Sequence, residues 1–260
     1  RLLILSLLVM VTGCVNNTTV RQTQDWEQER KSIKKVVIIP DDIEVMQLTF
    51  SGDGDHLAVH EEAIRNYIRN QLPALLKERG FEAETIDPSL FQQAEVAYAL
   101  EQIDNSYGGI SKEIYRTPFQ DVKEAHAMNK SIGELAVPLG VMTGADALLI
   151  VDFKGFEKSG GMIAKDAAVT LVVAIATLGS AVPVAPSANL AVDLVLIDAK
   201  DGEISWTNRA GAEMINPKLV AEAAMNGMPV TKSDIALASV ENKTKSTVSD
   251  VSSDAKKLEP

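Results

Sequence analysis

Two histidines stand four residues apart, His56 and His60, in a stretch that also holds Asp53, Asp55, Glu61 and Glu62. At helical spacing two such imidazoles share one face and could hold a divalent cation, with Asp53 as a third ligand. The pattern "HLAVH" lacks the glutamate that zinc hydrolases place directly after the first histidine as general base. Asp53 and Asp55 also have turn and helix-cap duties to perform. No metal is therefore assigned, and His56, His60 and Asp53 stand as the only candidates for one. Asp41 and Asp42 follow an apolar run, where α/β enzymes often place acids, and paired carboxylates can do acid–base work. Nothing near them in sequence suggests a substrate, so they read as a solvated loop. His126 reads as a solvated helix residue. There is no Gly-rich phosphate loop with lysine and no G-x-S-x-G elbow. No catalytic residue and no cofactor are expected.

The sole cysteine, Cys14, follows an apolar stretch from Leu2 to Thr12, and Asn16 and Asn17 make the chain polar just after it. That stretch falls short of the ~20 residues a spanning helix needs. It has the length of a signal-peptide core, roughly 7–15 residues. Its end, Val11-Thr12-Gly13-Cys14, resembles the lipobox of bacterial lipoproteins. The resemblance implies cleavage before Cys14 and acylation of its thiol and amine. Each buried methylene contributes about 0.8 kcal/mol, and a stable anchor needs more than one chain. Val15 rather than aspartate after the cysteine resembles an outer-membrane lipoprotein facing the periplasm. Residues 1–13 are thus expected to be a signal peptide and 14–35 a lipidated polar tether.

The chain has 260 residues and a formal net charge of −11. That length suits a single domain with a good core. An acidic chain is a poor match for nucleic acid or for anionic lipid bound through basic residues. One cysteine permits no internal disulfide.

The elements expected to carry these residues form a single α/β (α+β) sandwich over 36–240, in two or three layers, with helices packed on a mixed sheet. Val36–Pro40 and Ile43–Phe50 read as extended pieces. Asp55 is placed as the cap of a helix whose stripe is Ile64, Ile68, Leu72, Leu75 and Leu76, bent at Pro73 and stopped at Gly80. Phe81–Asp87 is a strand and Pro88–Ile103 a helix broken by "DNSYGG". Phe119–Met142 is read as helix, weak at Gly133 and Pro138. Ala147–Phe153 is a central strand. Asn189–Asn208 is a β-hairpin in the C-terminal half, with Leu190, Val192, Leu194 and Leu196 on one face and a turn at Ala199–Gly202. Helix resumes at Pro217, and another short one is placed near Asp234. Residues 241–260 are polar and expected to be disordered.

An apolar insertion at about 161–188 overlaps a stretch, 167–192, that carries no charge. A buried helix with a Pro-rich loop or surface flap, a membrane-contacting hairpin and a partner-binding flap all stay open for it. It does not alternate as a lipid-facing barrel strand should.

The order of these elements resembles a group of bacterial envelope lipoproteins. The group includes the curli-secretion-channel family, the amino-terminal domain of the Tol-system propeller protein, and lipoprotein activators of penicillin-binding proteins. Gly144-Ala145-Asp146 and the hairpin with Asp201-Gly202 and Trp206 carry the likeness. Trp206 itself reads as core. The resemblance implies a non-enzymatic, lipid-anchored periplasmic adaptor at the outer membrane. Its partners would be the membrane and another envelope protein, in a possible homo-oligomer. The alternatives are a secretion-channel subunit and a metal-dependent enzyme built on His56 and His60.

Overall fold

The computed structural model describes residues 15–51, 54–116, 128–167 and 186–228. The expectations for residues 1–14, Asp53, His126, the helix near Asp234, the tail and most of the uncharged stretch lie outside these residues. Six strands form one mixed sheet: β1 (Val15–Gln22), β2 (Lys35–Leu48), β3 (Glu82–Thr85), β4 (Ala147–Lys158), β5 (Ala188–Asp198) and β6 (Ile204–Ala212). Their order across the sheet is β1-β6-β5-β4-β2-β3. β2 runs parallel to β3 and β4, and the remaining pairs are antiparallel.

Helices cover both faces, so the sandwich has three layers. On one face lie α1 (Trp26–Glu29), α2 (Ala58–Asn70) and α3 (Leu72–Lys77), together with α7 (Pro217–Asn226). Their apolar side chains join Val36, Ile38, Leu149, Val151, Phe153, Leu194 and Trp206 in one core. On the other face lie α4 (Ala94–Arg116) and α5 (Val137–Thr143), packed on Val37, Ile39, Leu148, Ile150, Val195 and Ile197. Strand side chains point alternately to the two faces, so β2, β4 and β5 feed both cores and read as near-continuous apolar runs. Residues 160–167 form α6, which follows β4.

Several expectations need correction. Residues 15–35 are not a free tether. β1 pairs along β6 from Val15 to Gln22, and Trp26 is only 1% exposed. Backbone pairing to an exposed edge needs no apolar pattern in the added strand, which is why a polar sequence conceals it. Val36–Pro40 and Ile43–Phe50 are one strand with a bulge between Pro40 and Ile43. Asp55 does not cap α2: Leu57 holds that position, and the Asp55 carbonyl accepts a hydrogen bond from the Gln47 amide instead. "DNSYGG" does not end α4. Val96, Leu100, Ile103 and Tyr107 form a buried stripe that carries the helix through Gly108 and Gly109. Each glycine costs about 1 kcal/mol in a helix, less than burial of that stripe returns. Residues 128–132 are not helical. They run beside the β5–β6 turn, where the Ile132 amide donates to the Gly202 carbonyl and the Ile204 amide to that of Lys130.

The helical stripe, the stop at Gly80, the hairpin and the helix at Pro217 stand as expected. The "GAD" step has a physical cause. Gly144 ends α5 in the left-handed region at φ 64°. Two residues on, the Asp146 carboxylate accepts the backbone amides of Lys34 and Lys35 at 2.9 and 3.0 Å. These bonds hold it below the ordinary carboxylate range and fasten the start of β2 beside β4.

Candidate functional site

The structure separates the two histidines. His56 precedes α2 and forms an isolated bridge to Met46, so it does not share a helix face with His60. Its Nδ1 lies 2.8 Å from the Glu61 carboxylate, whereas His60 Nε2 faces Glu157 at 3.2 Å. Glu61 also accepts the Val45 amide at 3.2 Å. The hydrogen bond to His56, with that amide's help, holds Glu61 below its usual range, and the same bond raises His56. Each imidazole thus serves a separate carboxylate. No grouping of three or more metal-ligating side chains occurs among the described residues.

The chemistry that does converge lies on the α4 face, where the apolar core gives way. The β-bulge at Pro40–Ile43 places Asp41 and Asp42 at the sheet beside Asp152 of β4. Pro40 has no amide hydrogen to give a ladder, which suits it to such an interruption. Asp152 stands directly across from Asp193 of β5, and Asp193 directly across from Arg209 of β6. One row of charged residues therefore crosses four strands. α4 closes over it with Asp104, Tyr107, Ser111 and Lys112, leaving a cleft of about 420 Å³.

Within that row the charges are unequally satisfied. Asp193 accepts from Arg209 Nε at 2.7 Å and from the Tyr107 hydroxyl at 3.2 Å. The Tyr115 hydroxyl meets Thr207 at 2.7 Å, and the Arg209 guanidinium lies 3.8 Å over the Tyr115 ring. Burial raises Asp193 while Arg209 opposes the rise, and burial likewise pushes the Tyr107 and Tyr115 phenols up. Asp152 has no cation directly opposite. It accepts the Asp42 amide at 3.3 Å, while Asp42 pairs with Lys154 at 2.7 Å. Burial, then Asp41, lifts Asp152 to about 7. Burial, then Asp104 and Asp42, lifts Asp41 to about 6. Two carboxyls thus titrate near neutrality beside a locked Asp–Arg–Tyr cluster. Asp41 and Asp42 lie in β2 beside Asp152 of the cleft lining, not in a free loop.

Asp152 can hold and release a proton at the cleft, and its carboxylate can accept hydrogen bonds from a polar ligand. Its hydroxyls and guanidinium are engaged with one another. Asp152, Asp193, Arg209 and Tyr107 were not singled out by sequence. The available signal was an aspartate in the middle of each of two apolar strands, "IVDF" and "AVDL". Opposed like charges on neighbouring strands are costly, so such residues are unusual in a sheet.

The chain matches no known family model and no curated protein. Among solved structures it is similar to a PelC dodecamer from Paraburkholderia phytofirmans, at 10% identity and a TM-score of 0.34 over 83% of this chain and all of that one. A variant PelC dodecamer from the same organism gives 12% identity and a TM-score of 0.30, with the same coverage. Likeness at this level carries no argument about what this chain does.

Proposed function

We propose that this protein is a lipid-anchored, non-enzymatic adaptor of the bacterial envelope, held by Cys14 at the periplasmic face of the outer membrane to bind another envelope protein. The supporting observation is the sequence Val11-Thr12-Gly13-Cys14 after an uncharged apolar stretch. An acyl anchor at that cysteine makes the folded body a membrane-attached module. The non-enzymatic part is supported by the two histidines and the Asp193 cluster being engaged within the fold. His56 and His60 each serve a separate carboxylate, and Arg209 and Tyr107 are bound to Asp193.

Mass spectrometry of the mature protein tests the anchor: a diacylglyceryl group and an amide-linked acyl chain on Cys14 are expected. Cys14→Ser should release the protein from the membrane fraction. An unmodified Cys14, or a serine variant that stays membrane-bound, overturns the reading. Crosslinking in intact cells should recover a heterologous envelope protein. A ring of copies in detergent with no such partner would favour a channel subunit instead.

A further inference from the structure

The sheet has two ends, and its register shows which one Cys14 adjoins. Val15 of β1 lies across from Ala212 at the end of β6. Ala212 lies across from Leu190 near the start of β5, Leu190 from Gly155 of β4, and Gly155 from Val45 of β2. Cys14 is bonded directly to Val15, and consecutive Cα atoms stand about 3.8 Å apart. No linker separates the cysteine from the sheet.

Exposed apolar side chains gather at that same end. Phe50, two residues past β2, is 59% exposed. It rests on α6, where the Lys165 ammonium lies 5.1 Å over its ring. Ile163 of α6 is 43% exposed, and Met214, two residues past β6, is 38% exposed. Val59, in the first turn of α2, is also exposed, and Leu57 just before it bonds to the Val45 carbonyl. These are four of the seven large exposed apolar residues among the described ones; Val141 and Met142 lie at the opposite end, before the turn into β4.

We infer that this end of the sheet is a membrane-facing surface, with Phe50, Ile163 and Met214 seated in the headgroup–acyl boundary of the bilayer that holds the Cys14 chains. This rests on the proposed anchor. The acyl chains supply the attachment, and the short covalent distance from Cys14 to β1 turns the adjoining apolar side chains toward the same bilayer. Glu157 and Glu213 lie at this end and argue against attraction to anionic lipid, so zwitterionic lipid is the appropriate bilayer. Lys165 can extend its ammonium to the headgroups while its stem lies along apolar surface.

Acylation consumes the thiol of Cys14, so an introduced cysteine becomes the one free thiol. Phe50→Cys, Ile163→Cys, Met214→Cys and, as reference, Val141→Cys are to be spin-labelled in the full mature protein on phosphatidylcholine vesicles. Collisions with oxygen, enriched in lipid, are compared with those of a nickel chelate, enriched in water. The first three labels should show an oxygen-to-nickel ratio several-fold above that at position 141. An acylated, vesicle-bound protein whose four labels agree would leave the anchor standing and overturn the orientation. Labels shielded from both reagents would mean cover by protein, from this chain or a second copy, and overturn it too. A protein without acyl mass that fails to float with vesicles would overturn both.

Discussion

Asp152 and Asp193 face one another across neighbouring strands, and only Asp193 has a guanidinium beside it. That asymmetry sets two opposite expectations. Asp152 has its pKa raised in the folded state, to about 7, mainly by burial and then by Asp41. It binds a proton in the folded protein at pH values where the unfolded chain has lost it. Its contribution is fully present below about pH 4 and is lost as pH rises through about 7. Asp41, raised to about 6, acts in the same direction. Denaturant melts should therefore show lower stability at pH 8 than at pH 5.5. Asp152→Asn should gain about 1–2 kcal/mol at pH 8 and flatten the dependence. Asp146 and Glu61 are held low and remain ionised across this window, so they do not mask the effect. Asp193→Ala should behave oppositely. It strips Arg209, Tyr107 and Thr207 of their shared acceptor and should cost about 2–3 kcal/mol by chemical denaturation, with Arg209's partial exposure limiting the loss.

At the scale of elements, β1 and α1 are part of the folded body. The α1 side chain Trp26 is buried in the same core as Trp206 and α7. Arg30, just after it, donates to the Arg79 carbonyl, and Arg79 in turn donates to the Met228 carbonyl at 3.1 Å. If residues 15–35 were a tether, Trp26→Ala would be silent. Here it should cost about 3–5 kcal/mol, the usual loss for a large buried aromatic, read as a lowered unfolding midpoint. The β5–β6 turn is similarly exacting. Gly202 has φ +73°, and a Cβ there would strike the Gly133 backbone. Gly202→Ala should loosen the segment 128–136 from the hairpin, seen as faster amide exchange at Ile132 and Ile204, whose bonds join the two.

At the scale of the whole molecule, the cleft adjoins the end that the proposed anchor would hold: Lys154 and Ala191 of its lining directly neighbour Gly155 and Leu190. The cleft opens on the α4 face of the sheet, whereas Val15, Gly155, Leu190 and Ala212 mark one end of its strands. A body held to a bilayer by that end would carry the cleft close to the membrane, on its α4 face. Removal of the anchor by Cys14→Ser should therefore change location without changing the fold: the unfolding midpoint in solution should match that of the acylated protein in mild detergent within about 0.5 kcal/mol, as surface changes do.

Periodicity and punctuation by themselves determined the α2–α3 stripe, the central strand at Ala147, the hairpin and the class of fold. Those signals are local: apolar spacing, Gly80 as a stop, Pro217 as a start. Legibility failed where a long-range partner decided the outcome. Polar β1 became a strand because β6 offered an edge, α4 crossed two glycines because its stripe was buried, and His56 left the helix because Met46 paired with it. The cleft failed for the same reason, since Asp41, Asp152, Asp193 and Arg209 are far apart in sequence and form a row only through strand register. Burial of a side chain by its own neighbours is written in the chain; the energy of a backbone edge, a bulge or a cross-strand charge exists only once distant segments meet.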